Sequence, residues 1–210
     1  MLLYDYFRSS AAFRVRIALN AKGLAADRRY IHLRKGDQRK PEYLAENPQG
    51  LVPTLVVGER RLTQSMAIVE YLEEKHPLPP LLPPGPEDRA WVRAIALAIA
   101  CDIHPLNNLR VLQHLERLGI DQAGRDAWYA HWIEAGFAAL EPKLAARASG
   151  RFCLGDAPTI ADVFLVPQVA NAGRVSLPMD AYPRIRAINA ACLALPAFDS
   201  AQPSRQPDAE

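Results

Sequence analysis

Six of the ten residues in Pro77-Leu78-Pro79-Pro80-Leu81-Leu82-Pro83-Pro84-Gly85-Pro86 are proline. Each proline removes an amide donor and fixes its own φ, so neither a helix nor a central strand runs through such a stretch. Regular structure must be built separately on its two sides. The segment reads as an interdomain linker, with one domain expected over residues 1–80 and another over 86–210.

The two sides carry different patterns. Before the prolines, short apolar runs alternate with helical spacing, the signature of an α/β unit. Leu2 to Phe7 reads as a strand. From Ser10 to Lys22 the apolar residues Val15, Ala18 and Leu19 recur at helical intervals and stop at Gly23. Arg29 to Leu33 is a candidate second strand and Pro41 to Glu46 a short helix. Thr54 to Val57 and Arg61-Leu62 form an expected hairpin across Gly58-Glu59, after which Ser65 caps a helix with Ile68, Val69 and Leu72 on one face. Beyond the prolines nearly every signal is helical. Arg89 to about Leu118 is apolar on more than one side, as suits a helix at a domain or subunit interface. A second long helix is expected from Gln122 to Ala148. Thr159-Ile160-Ala161-Asp162 has a capping-box arrangement, with Asp in place of the usual Glu or Gln, and opens a buried helix. The polar, proline-bearing tail after Ala197 has no periodicity and is expected to be extended or partly disordered.

Composition narrows the function classes. Half the residues are hydrophobic, and 25 Lys and Arg face 23 Asp and Glu. Neither disorder nor a general polyanion-binding surface follows from such a balance, so no nucleic-acid partner is expected. No run approaches the roughly 18 apolar residues of a membrane span. Met1 to Tyr6 runs into Arg8 without the basic and apolar regions of a signal peptide, which makes the cytoplasm the expected compartment. Cys101, Cys153 and Cys192 are far apart and belong to no CxxC or Cys/His cluster. A disulfide framework and a metal site are both unsupported, and packing is the expected role of the three thiols.

Three segments can carry chemistry. Arg8-Ser9-Ser10 places two hydroxyls where a strand turns into a helix, and free amides with the helix dipole favour negative charge there, a thiolate included. From this segment alone, a plain N-cap is the more ordinary reading of Ser9 or Ser10. In Val52-Pro53-Thr54-Leu55 a proline directly precedes an apolar strand. A cis Val52-Pro53 bond would turn the Val52 backbone outward to pair with a peptide-like ligand, while a trans proline in a loop is the ordinary alternative. Gln64-Ser65 sets another hydroxyl at a helix start, a place suited to a carboxylate.

In this order the segments resemble the zeta class of glutathione transferases, the family that includes maleylacetoacetate and maleylpyruvate isomerases. The resemblance is carried by Ser9-Ser10 with Arg14-Val15-Arg16-Ile17-Ala18-Leu19, by Asn47-Pro48 with Val52-Pro53-Thr54-Leu55, by Gln64-Ser65, and by Leu165-Val166-Pro167-Gln168-Val169-Ala170-Asn171-Ala172. It spans nearly the whole chain.

The resemblance implies a thioredoxin-like N-terminal domain that binds glutathione, an all-helical C-terminal domain, and a homodimer. It also implies roles. Ser9 would hydrogen-bond the glutathione sulfur, with Ser10 beside it. Val52 next to cis-Pro53 would pair with the cysteinyl backbone, Gln64 and Ser65 would hold the γ-glutamyl carboxylate, and Gln38 would join the same site. His104, Asn108 and Arg110 would complete it from the helical domain, although a histidine at His104 reads as readily as a helix cap or core residue. Arg8, Arg110 and Arg174 are the expected clamp for substrate carboxylates, against the alternative of ordinary surface arginines.

The implied reaction is cis–trans isomerisation of a maleyl dicarboxylate: the thiolate adds to the double bond, the resulting single bond rotates, and the thiolate is expelled. Three arginines favour a compact dianion such as maleylpyruvate over maleylacetoacetate. One departure stands out. The zeta motif commonly has cysteine after its two serines, and here Ala11 occupies that place, which removes any redox role for such a cysteine. A general electrophile-conjugating transferase and a non-catalytic binding module of the same fold are the competing expectations.

Overall fold

Alternation within Leu2-Leu3-Tyr4-Asp5 sends Leu3 and Asp5 to one face of a strand and Tyr4 to the other. In the structure, a computed structural model describing residues 1–210, this strand (β1, Leu2–Asp5) is central to a four-stranded mixed sheet. It pairs in parallel with β2 (Asp27–Tyr30) and antiparallel with β3 (Thr54–Val57), which forms the predicted hairpin with β4 (Arg60–Thr63). The sheet order β2-β1-β3-β4 is the thioredoxin-like arrangement that the resemblance implies.

The chain divides into two units, Met1–Leu81 together with Leu193–Glu210, and Leu82–Cys192. In the first, helix α1 (Ser10–Ala21) lies on the Leu3 and Asp5 face, where its Arg16 pairs with Asp5 at 2.7 Å. It packs with α3 (Ser65–Lys75), and Val15, Ala18, Leu55, Ile68, Val69 and Leu72 are sealed from solvent. The short helix α2 (Pro41–Leu44) sits on the other face, with the Tyr43 and Tyr4 rings 5.2 Å apart. The proline stretch is anchored rather than loose. Glu73 of α3 accepts from Lys22 Nζ and from Leu81 N, and the Leu78-Pro79 bond is cis.

The C-terminal segment departs from the sequence expectation. Leu193–Glu210 groups with the first unit, whereas a single helical domain was expected to run through residue 210. Leu195 is the N-cap of a short helix, α9 (Pro196–Asp199), which Pro196 can open because the first helical position needs no amide donor. Helix α9 packs on α1, and Asn20 Nδ2 donates to Ala197 O and Ser200 Oγ, both at 3.1 Å. The tail is not loose: besides the Asn20 bonds, Arg16 Nε donates to Ala201 O at 3.0 Å.

In the second unit the expected helix from Arg89 to Leu118 is broken. Helix α4 (Pro86–Leu97) passes into a wide π turn over Ala98–Ile103 and a 3-10 turn over His104–Asn107 before α5 (Leu109–Arg117) begins. Pro105 accounts for the break, since it cannot donate within a helix. Helix α6 (Gln122–Ala146) crosses the π turn closely: a Cβ on Gly136 would lie 2.1 Å from Ile103 Cδ1. Helix α7 (Ile160–Gly173) is buried along most of its length and packs on α4, and α8 (Pro183–Leu193) follows. The capping box at the start of α7 is present, with Asp162 Oδ2 accepting from Thr159 N at 2.8 Å. Asp162 Oδ1 accepts from Cys153 N at 2.8 Å. Cys153 and Cys192 are buried, as packing thiols should be, but Cys101 is exposed. No helix is long and apolar enough to cross a membrane.

Candidate functional site

A tight strand-to-helix turn leaves the first amides of α1 without helical partners, and a short polar side chain is needed to meet them. Ser9 does this. It is the N-cap, with extended backbone angles, and its Oγ accepts from Ala12 N at 3.2 Å. A hydroxyl that accepts in this way still has its own proton to donate. Capping and sulfur stabilisation are therefore compatible at Ser9, which is half-buried. Ser10 is the first helical residue and is buried.

Next to this turn lies the segment before β3. Val52 belongs to the same apolar cluster as Tyr6 and Phe7, the residues that lead into Arg8 and Ser9. The Val52-Pro53 bond is cis, and because β3 starts at Thr54, the Val52 backbone stands outside the sheet ladder. Asn47 fixes this segment by donating from Nδ2 to Leu51 O at 2.8 Å and to Thr54 Oγ1 at 3.1 Å. The Tyr43 hydroxyl reaches the same two groups. The Asn47-Pro48 motif thus has a local purpose: it holds the loop that presents Val52.

Gly50 brings a further candidate close. Its φ of 61° suits glycine, and a Cβ there would meet Gln38 O at 2.9 Å. The Gln38 side chain is buried with its Oε1 lacking a hydrogen-bond partner. A buried carbonyl left unmet is costly, so this oxygen is suited to accept from a ligand.

The start of α3 completes the first unit's set. Gln64 is its N-cap, with φ of 67°, so the helix is capped one residue earlier than the expected Ser65. The Gln64 amide donates to Gln49 Oε1 at 3.2 Å. Ser65 is buried, and its Oγ accepts from Arg14 Nη1 at 3.1 Å. Arg14 is nearly inaccessible, at 1% exposure. Sequence reasoning used Arg14 only as part of a motif and missed this role. Its signal was the spacing within α1 that puts it on the face packed against α3.

Contacts therefore link Ser9, Val52, Gln38, Gln64 and Ser65 into one neighbourhood of the first unit. Arg8 is half-buried in the turn. Two helix N-termini in this neighbourhood, with Arg14 beneath one of them, favour bound negative charge.

The remaining candidates lie in the second unit. His104 opens the 3-10 turn and is half-buried. Asn108 is the N-cap of α5, its Oδ1 accepting from Arg110 N at 3.1 Å, which leaves the Asn108 amide hydrogens for another partner. Arg110 is exposed on the first turn of α5, and Arg174 is exposed at the C-cap of α7. Asn107 was not singled out by the sequence. It is buried, and neither its Oδ1 nor its Nδ2 has a hydrogen-bond partner.

Comparison with known proteins yields concordant matches. Residues 1–74 match the family model of the glutathione S-transferase N-terminal domain, and residues 126–188 match that of the C-terminal domain. A probable maleylacetoacetate isomerase of Vibrio cholerae serotype O1 is 50% identical, covering 100% of this chain and 98% of its own. The holo structure of a maleylpyruvate isomerase, a bacterial zeta-class glutathione S-transferase, superposes with a TM-score of 0.98 at 47% identity and full coverage of both chains. The maleylacetoacetate isomerase of Methylobacterium extorquens AM1, solved with malonate and glutathione bound, gives a TM-score of 0.97 at 43% identity, again over all of both chains.

Proposed function

The chain belongs to the glutathione S-transferase family, in its zeta class, and on that premise we propose that it catalyses glutathione-dependent cis–trans isomerisation of a maleyl dicarboxylate, with maleylpyruvate preferred. The observation that carries this reading is that the first unit holds together the Ser9 hydroxyl at the start of α1, the Arg14-supported Ser65 hydroxyl at the start of α3, the unmet Gln38 Oε1 and the Val52 backbone beside cis-Pro53. These groups fit a thiol-bearing peptide with a terminal carboxylate.

Glutathione, when bound, supplies the sulfur that adds reversibly to the maleyl double bond. The protein's own tasks follow from its residues. Ser9 donates its proton toward the sulfur while the α1 amides favour the anionic form, and Ser10 lies beside it. Gln64 and Ser65 hold a carboxylate at the start of α3, and Val52 pairs backbone to backbone next to Pro53. Gln38 accepts a ligand amide or ammonium proton. His104, Asn108 and Arg110 act from the second unit, and Arg8, Arg110 and Arg174 bind substrate carboxylates and the negative charge that builds up during addition.

Maleylpyruvate is preferred because three guanidinium groups suit a small dianion. The relatives' names divide between the two substrates, so the chain's own cations decide the proposal. We propose that the active form is a homodimer, which light scattering of the purified protein tests, and that it acts in the cytoplasm. The decisive experiment follows isomerisation of maleylpyruvate and maleylacetoacetate by ultraviolet absorbance, with and without glutathione. Fast glutathione-dependent turnover is expected, with the greater kcat/KM on maleylpyruvate. A clear preference for maleylacetoacetate would reverse the substrate assignment, and no turnover of either, with conjugation of electrophiles instead, would replace the isomerase reading.

A further inference from the structure

The turn that carries Arg8 and Ser9 is held from behind by residues far away in sequence. Tyr6 N donates to Asp5 Oδ1 at 2.8 Å, and Tyr6 O accepts from Ser9 N at 2.9 Å. Phe7 O accepts from Arg16 Nη2 at 3.1 Å. Phe7 N donates to Asp208 Oδ2 at 2.9 Å, across 201 positions of chain. The same Arg16 reaches the C-terminal segment directly, donating from Nε to Ala201 O at 3.0 Å. Between these two attachment points Gln206 Nε2 ties the segment to itself, donating to Ser200 O at 2.9 Å and Gln202 O at 2.8 Å. One buried guanidinium and one carboxylate therefore fasten both the turn and the segment that covers it.

Asp208 differs from the other acid in this network. Asp5 uses both oxygens, with Arg16 on Oδ1 and Arg28 on Oδ2. Asp208 Oδ1 is buried without a hydrogen-bond partner, and the nearby Tyr6 hydroxyl is likewise buried and unmet. Burying an unmet carboxylate oxygen costs stability, so simple tail docking is a poor account of an acid at this place. What Asp208 does reach is the amide two residues before Ser9. We infer that Asp208 is a positioning residue of the isomerase: by fixing Phe7 N it sets the direction in which Arg8 and Ser9 leave the turn, and the last residues of the chain act as a clasp on the catalytic loop. The inference rests on the isomerase reading given above.

The test compares Asp208→Ala, Asp208→Asn and Glu210→Ala. Glu210 accepts from His32 Nε2 at 2.9 Å and Lys35 Nζ at 3.1 Å at the tail's tip and does not touch the turn. Two quantities are read: steady-state kinetics on maleylpyruvate, and the pH titration of the bound glutathione thiol by ultraviolet absorbance, which needs no isomerisation. Misplacing a catalytic group by about 1 Å costs up to roughly 100-fold, so Asp208→Ala is expected to lose about 10- to 100-fold in kcat with glutathione affinity changed less than about threefold. Its bound thiol titrates at higher pH than in wild type. Asp208→Asn keeps an acceptor for Phe7 N and recovers most of both, and Glu210→Ala matches wild type in both. The inference is overturned if Asp208→Ala, normalised to folded protein, keeps the wild-type kcat and thiol titration, or if Glu210→Ala is equally impaired. A wild-type protein that binds and titrates glutathione but turns over neither maleyl substrate fails the isomerase reading alone, since the thiol titration still reports on the clasp.

Discussion

Arg14 Nη1 donates to Ser65 Oγ at 3.1 Å, joining the first helix to the N-terminus of α3 from within the protein core. A cation sealed beneath an anion-binding helix end has two effects: it orients the hydroxyl and adds positive potential where water screens little. Replacing Arg14 with Leu removes both. Glutathione affinity is expected to fall by roughly 10- to 100-fold, from losing about 1.5–3 kcal/mol of charge-assisted support. Isothermal titration measures it. Unchanged affinity in the folded variant would separate Arg14 from the binding site.

Ser9 has a different task, since its oxygen caps α1 while its proton is free to face a sulfur. Ser9→Ala is expected to lower kcat about 100-fold, in the range found on removing one donor to a developing anion. Loss of the N-cap costs about 1 kcal/mol of stability besides. Ser10→Ala, altered at a helical position beyond the cap, should lose far less. Equal losses in the two variants would leave Ser9 without a special role.

Asp162 gathers several buried donors. Thr159 N, Thr159 Oγ and Cys153 N lie at 2.8, 2.9 and 2.8 Å from its carboxylate, and Cys192 Sγ is at 3.7 Å. Asp162→Ala strands these groups and is expected to cost about 3–5 kcal/mol of stability. Chemical denaturation checks the value. Burial, then the Asp162 charge, pushes both neighbouring thiols well above the ordinary cysteine range. Thiol reagents should accordingly modify no more than Cys101 in the native protein and all three cysteines after unfolding.

Glu210 supplies the pH prediction. Hydrogen bonds from Lys35 and then His32 hold its carboxyl below the ordinary glutamate range. A lowered folded-state pKa means the contact contributes stability above the unfolded value of 4.5 and loses it as pH falls through the folded pKa. Wild type should melt slightly above Glu210→Gln at neutral pH, and the gap should close on acidification. A gap that widens in acid would contradict the pairing.

Where neighbours in sequence decide structure, the chain could be read in advance. The β1–α1 opening, the hairpin from Thr54 and the Thr159 capping box all depend on residues a few positions apart. The second strand was misplaced by about two residues because Asp27-Arg28-Arg29-Tyr30 is a largely exposed edge strand with no apolar alternation. Gln64 was not expected at positive φ, a conformation it takes as the N-cap between β4 and α3. Among the candidate site residues, hydroxyls at helix starts were legible from local chemistry. Arg14 and Arg16 were not recognised as buried, because polar side chains on α1 look solvent-facing until α3 and the C-terminal segment cover them. The tie between Phe7 and Asp208 leaves no trace in any window of sequence.

That the first unit is assembled from both ends of the chain bears on the order of events during synthesis. A ribosome delivers residues 1–81, then the whole of 82–192, and only then the segment that caps the turn. Domains generally fold as units as they emerge, N-terminal first. Here the earlier-made domain must wait for the later-made one: a nascent chain displays the Ser9 turn uncovered until Asp208 leaves the exit tunnel, so the loop is set in its final geometry only after the whole of the second unit has been made.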